Sequence, residues 1–408
     1  MTATTAPVSV QMARRAWWAP ALALAAAGWG ANQFAPLIVM YRLRLDLTAS
    51  ELDAMYGLYA LGLVPALLLG GRLSDRFGRR RIVLPALAIA LVATLILMAG
   101  GTEAAWLYAG RLLTGLACGL VFGTGAAWLK ESSLDAASAP RRTTIAITAG
   151  FAAGPFAAGL LAQWAPHPTV MAYLPHLLLV LVAVATIARG PGASLVEPSE
   201  DESKPRDREG DSVSFPIRAF VIFLVPFAPW VFGSAAVFLA YLAPLVAPEV
   251  GAHALVFCAV AATIGAGSGI LAQPLAAALL RAGRDTLVRG AMALVVVGLA
   301  GGAWAAYAKS PALVLIDAVV LGMAFGTCQF CGLLTVQRIA SPASLGTVIG
   351  AYQVLSYVGF AFPYLMSLAH EHWSISPTVP VVALTGVAVL AALWLAPAGR
   401  SATTSLVE

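Results

Sequence analysis

The chain has 408 residues, 60% of them hydrophobic and only 11% charged, with a formal net charge of +5. A soluble protein carries roughly 25% charged residues, so water is not the main solvent of this one. The basic excess is not gathered on a soluble face, which argues against nucleic acid and for a lipid bilayer as the partner.

Arg14 and Arg15 precede an apolar run from Trp17 to about Met40. That run is too long for a signal peptide and lacks a convincing cleavage site, so it reads as a retained first span. A helix needs about 20 apolar residues to cross the hydrocarbon core. Further runs of that kind fall at 52–70, 82–100, 104–128, 143–163 and 170–188. After a polar break come 218–246, 254–280, 290–307, 311–335, 345–368 and 379–396, twelve spans in all.

Asn32 and Gln33 are amides inside the first span and candidate substrate contacts. Between the second and third spans lies Gly71-Arg72-Leu73-Ser74-Asp75-Arg76-Phe77-Gly78-Arg79-Arg80-Arg81, five arginines and one aspartate in a short turn. Arginine is retained on the cytoplasmic side of a membrane. Gly71 and Gly78 permit close helix approach and a tight turn, while Asp75 suits the amino end of a neighbouring helix, where the helix dipole favours negative charge. A segment that only set topology would need neither Asp75 nor the glycines.

In the fourth span Arg111 is followed at four-residue intervals by Gly115 and Gly119, which places both glycines on one face for tight packing. Arg111 is the one base inside a span. It is either a functional group or a side chain that snorkels to the near surface. The fifth span holds Gly150-x-x-x-Gly154-Pro155, a small-residue face with a proline kink. From Ala188 to Pro216, four basic and seven acidic residues alternate with Pro, Gly and Ser, the composition of a solvated tether.

In the seventh span Trp230 follows Pro226 and Pro229, where a broken helix would expose backbone carbonyls. Asp317, in the tenth, is the clearest acid within a span. Gln329 in the tenth span, with Gln353 and Tyr357 in the eleventh, are further candidate contacts; each also suits a bond to a neighbouring helix. Cys328-x-x-Cys331 has redox or metal spacing but lies in an apolar run without a nearby His or acid, so it reads as two small residues one turn apart. The five histidines fall in loops or at span ends, and no metal site is expected.

Of the 24 Lys and Arg residues, twenty fall on the side of the amino terminus and three (Arg42, Arg44, Lys309) on the other. Both termini should therefore be cytoplasmic. Short matches recur at nearly one offset: Ala35-Pro36-Leu37 with Ala243-Pro244-Leu245, Gly78-Arg79 with Gly283-Arg284, and Phe122-Gly123-Thr124 with Phe325-Gly326-Thr327. They suggest a duplicated six-helix unit, a recurring transporter design.

The 71–80 segment resembles, at every defining position, the loop between helices 2 and 3 of the major facilitator superfamily. Helix count, central tether and repeat extend the resemblance over the whole chain. It implies an all-α membrane fold of two pseudo-symmetric six-helix bundles, 1–188 and 217–408, joined by a linker at 189–216. It further implies that Gly71, Asp75, Arg76, Gly78, Arg79 and Arg80 form a gating loop that latches onto the start of helix 11 while the site faces outward. Helices 1, 4, 7 and 10 would line the cavity, so Arg111 and Asp317 both become candidates for a proton or substrate path, as a pair or separately. The second copy of the loop, 277–284, lacks the acid.

The fifth-span pattern is similar to that of drug–proton antiporters, although Ala158 stands at one expected glycine and Arg141 at another. No nucleotide-binding Gly-x-x-x-x-Gly-Lys-Ser/Thr pattern is present, and no nucleophile–base constellation suggests an enzyme. The expectation is therefore a monomeric secondary transporter of the cytoplasmic membrane, without a cofactor, that exports a small amphipathic organic molecule against protons. Proton-coupled uptake of a metabolite is the alternative, and a non-transporting membrane sensor a more distant one.

Overall fold

The computed structural model describes residues 17–133, 138–189, 217–341 and 344–404, and every element among them is helical. The Arg14–Arg15 pair and the charged stretch 190–216 lie outside the described residues. The long helices are α1 (Trp18–Leu45), α2 (Ala49–Phe77), α3 (Arg79–Ala99), α4 (Ala104–Glu131), α5 (Ala139–Trp164) and α6 (Leu174–Arg189). They are followed by α7 (217–246), α8 (Ala254–Ala282), α9 (Arg284–Tyr307), α10 (Pro311–Ile339), α11 (345–373) and α12 (Thr378–Thr404).

Among the described residues, eleven continuous stretches are long and apolar enough to cross a bilayer, and one of them runs 66 residues from Ile217 to Ala282. A straight helix of that length would be roughly three times the thickness of the hydrocarbon core. The chain instead reverses at Gly251, whose φ of 59° and ψ of −124° no helix contains. That turn separates α7 from α8 and gives the twelve crossings the apolar spacing predicts.

Local chemistry explains where the helices stop. Thr48 and Glu51 form a reciprocal capping box at the start of α2, and the Ser310 hydroxyl accepts from the Leu313 N–H at the start of α10. Gly78 (φ 91°) alone separates α2 from α3, and Gly283 (φ 127°) alone separates α8 from α9. The two glycines that match in the sequence repeat thus make the same left-handed turn.

Small residues set the closest helix contacts. A Cβ at Gly115 or Gly119 would run into the carbonyls of Tyr59 or Leu63, and one at Gly150 or Gly154 into those of Ala25 or Trp29. The α2–α4 and α1–α5 pairs therefore pack backbone against backbone, as the spacing of these glycines predicts. Helices α1–α6 meet α7–α12 chiefly along two seams, α2 against α11 and α5 against α8.

Candidate functional site

A cavity lies where the seams meet, with lining residues from α1, α2, α5, α7, α8, α10 and α11. Eight of its sixteen lining residues are aromatic and none is charged. The rings form a continuous wall. Phe232 stacks on Tyr357 at 4.3 Å between centroids and on Phe360 at 5.4 Å, and Phe360 meets Tyr56 and Tyr59 across the α2–α11 seam at 5.4 and 6.0 Å. Offset contacts of this kind each contribute about 0.5–1.5 kcal/mol beyond area burial, and here they join the two halves of the chain.

Arg111 explains why the wall holds its shape. Its side chain is 0% exposed and stands behind the cavity rather than in it. The guanidinium lies over the rings of Tyr59, Phe34 and Tyr56 at 4.9, 5.0 and 5.7 Å. It also donates to the backbone carbonyls of Ala31 (3.1 Å), Tyr56 (3.2 Å) and Met55 (3.4 Å). A desolvated cation over a ring is worth about 2 kcal/mol, and a planar fork satisfies several carbonyls at once. Arg111 therefore fastens α1 and α2 to α4, and it neither snorkels nor pairs with Asp317.

The other residues singled out in the sequence divide into three groups. Asn32 and Tyr357 line the cavity. Gln329 and Gln353 sit about one helical turn from the cavity residues Phe325 and Tyr357, toward the end of the molecule that carries the arginine loop. Each has a buried Oε1 without a hydrogen-bond partner.

Gln33, Trp230 and Asp317 turn away from the cavity. Gln33 Nε2 donates to His176 Nδ1 at 3.3 Å, and His176 Nε2 in turn lies 3.1 Å from the Ala26 carbonyl, which ties α1 to α6. Trp230 Nε1 takes up the Pro226 carbonyl at 2.9 Å, so that carbonyl is not left for a substrate. Asp317 is 4% exposed and faces Gly301 and Gly302 of α9.

The two ends of the α2–α11 seam differ. At the arginine-loop end, Arg79 binds Asp75 at 2.5 Å and Glu131 of α4 at 2.9 Å. Arg80 donates to the Ala188 carbonyl at the end of α6, and Arg76 lies over Phe77. All these contacts stay within the first half, and the Asp75 side chain is 66% exposed. At the opposite end, Glu371 of α11 accepts from the Ser50 N–H at 3.1 Å and from its hydroxyl at 2.5 Å. Close by, Ser367 Oγ of α11 donates to Asp53 Oδ2 of α2 at 2.6 Å, with both residues 2% exposed. On the second seam Gln163 Nε2 donates to the Ala252 carbonyl at this same end. The conformation is therefore bolted at the end away from the arginine loop.

Sequence reasoning missed Asp53, Ser367, Glu371 and Glu131. Asp53 falls at the edge of an apolar run, where an acid reads as a boundary, and its partner lies 314 residues away. His176 lies near a span end, as its sequence position indicates, but its ring points into the first half.

Residues 19–364 match the Major Facilitator Superfamily family model. The chain belongs to that superfamily. It is 33% identical over 101 residues to multidrug resistance protein MdtL of Escherichia coli (strain UTI89 / UPEC), a match covering 24% of this chain and 26% of the relative. The chain thus aligns with about a quarter of the length of the curated relatives it matches. Solved structures of similar fold include the POT family transporter PepTSo (TM-score 0.74, 15% identity, 95% of this chain and 98% of that one). The nucleoside transporter NupG superposes with a TM-score of 0.70 at 13% identity over 94% of this chain and 98% of that one. The xylose transporter XylE from E. coli gives 0.68 at 16% identity, over 93% and 97%. These likenesses show the fold, while membership of the superfamily rests on the family model over residues 19–364.

Proposed function

We propose that the protein exports a small, largely apolar organic molecule across the cytoplasmic membrane by alternating access, driven by protons. The carrying observation is the cavity itself: eight aromatic rings, one amide at Asn32 and no charge. Such a lining gains affinity by burying apolar surface and stacking on rings, and offers few fixed donors to a sugar-like or zwitterionic solute. The partial likeness to a multidrug resistance protein supports the same reading. Residues 1–188 and 217–408 are the two rocking halves, with 189–216 between them, and both termini are cytoplasmic because the basic residues concentrate on that side.

In this reading the bolted end faces outward, and the cavity is served from the arginine-loop side, where an exported molecule loads. Asp75 then docks on the start of α11 in the opposite conformation. The uptake alternative needs polar contacts in the cavity, and two of its candidates, Gln33 and Arg111, are committed to helix packing.

The test is flux in proteoliposomes with an imposed pH gradient, using lipophilic aromatic compounds chosen by a growth-inhibition screen of an expressing strain. Export that ceases when the gradient is collapsed supports the reading. Export indifferent to the gradient removes proton coupling, and selective uptake of sugars or nucleosides removes the apolar substrate class.

A further inference from the structure

The bolted end carries a feature that substrate recognition does not use. Asp53 sits at the α2–α11 seam, 2% exposed, and its carboxylate accepts a hydrogen bond from the Ser367 hydroxyl. The charged and titratable groups that face it are Glu371 of α11, Arg42 of α1, Tyr56 of α2 and Tyr241 of α7. No cation among the described residues comes within ion-pair distance of it. Tyr241 already donates to the Pro377 carbonyl at 2.7 Å. Glu371 is engaged at the start of α2, and as a second acid beside Asp53 it repels a carboxylate there. Sealing a carboxylate from water with one hydroxyl and a neighbouring acid is costly unless the group is neutral.

We propose that Asp53 is a proton-binding site that governs the outer gate: closing α2 against α11 takes up one proton at its carboxyl, and opening releases it. With Oδ2 accepting from Ser367, the proton resides on Oδ1. It comes from the solution on that face and returns to it, so the bond made on closing is O–H and nothing else changes covalently. Acid on that face favours the state whose cavity is served from the arginine-loop side. This inference rests on the alternating-access reading and adds to it a gate whose position follows the pH of one compartment. One linked proton changes the closed-to-open ratio by up to about tenfold per pH unit.

The experiment is a distance measurement between spin labels at Leu43→Cys and Trp373→Cys, both exposed at that end on opposite halves, in reconstituted full-length protein. The four native cysteines are buried. Wild type should shift from short to long distance as the pH rises. Asp53→Asn, which keeps an acceptor for Ser367 and cannot ionise, should hold the short distance throughout, whereas Glu371→Gln should keep the pH response. A wild-type distance independent of pH overturns the proposal without recourse to any variant, as does an unchanged pH response in Asp53→Asn or its loss in Glu371→Gln. Flux in the same vesicles separates the two readings. Transport with a pH-independent distance overturns the gate alone, while a pH-dependent distance without transport of any compound leaves the gate standing and removes the transport reading.

Discussion

At one end of the α2–α11 seam, an acid from the last turn of α11 reaches the start of α2; at the other, an acid from the last turns of α2 turns away from α11. Glu371 holds the Ser50 N–H and hydroxyl, while Asp75 binds Arg79 in its own half and remains largely exposed. The same two helices thus carry an acid at both ends, and in the proposed cycle each acts as the same kind of device, docking on a partner helix's amino terminus where the dipole welcomes it. One device is engaged and the other free. In the proposed cycle the difference teaches that a gate is a few hydrogen bonds across a seam, small enough to break each time, between helices packed backbone against backbone within each half.

Fixing the engaged end should have the largest effect. Replacing Ser50→Cys together with Glu371→Cys and oxidising the pair should stop transport altogether, and a reductant should restore it. Transport that continues with the cross-link intact would mean this end need not open.

Next comes the scaffold that both ends share. Arg111→Leu strands three carbonyls and removes the cation from three rings, at a cost of about 3–5 kcal/mol. Thermal unfolding in detergent should fall by many degrees, and Arg111→Lys should recover only part because it lacks the planar fork. Equal losses in Asp317→Asn and Arg111→Leu would point to a functional pair that the geometry separates. Asp317→Asn tests the buried acid on its own: it abolishes proton-coupled flux if Asp317 carries the proton, and it leaves flux near wild type if its role is confined to packing on α9.

A smaller effect is expected at the free end. Asp75→Asn should slow turnover several-fold while leaving substrate affinity in equilibrium binding unchanged, because Asp75 contacts no cavity residue. The smallest belongs to Glu371→Gln, which keeps the geometry but weakens the interaction with the α2 dipole by about 0.3–1 kcal/mol. The open state at that end should then gain roughly two- to fivefold in population, read from the same label distances.

Much of the fold was legible because bilayer thickness sets helix length and lipid forbids charge, so apolar runs, Gly78 and Gly283 mark helices and turns without any knowledge of partners. The glycine faces of α4 and α5 were legible for the same reason: spacing alone puts them on one side. The site was less legible. Arg111 stood out as a buried cation, yet the sequence could not show that backbone carbonyls and rings, rather than Asp317, satisfy it. Asp53 and Glu371 were hidden because each looks like an ordinary span boundary, and only the meeting of α2 with α11 gives them partners. Eight aromatics scattered over several helices carry no contiguous pattern, so the wall exists only after folding.

The most direct test places a single cysteine in the cavity at Asn32→Cys and asks from which side of oriented vesicles a membrane-impermeant maleimide reaches it while Ser50→Cys and Glu371→Cys are cross-linked. Two ends that open in turn predict labelling from the arginine-loop side alone, with the far side gaining access only after reduction. Labelling from the far side through an intact cross-link, or from neither side before and after reduction, would contradict it.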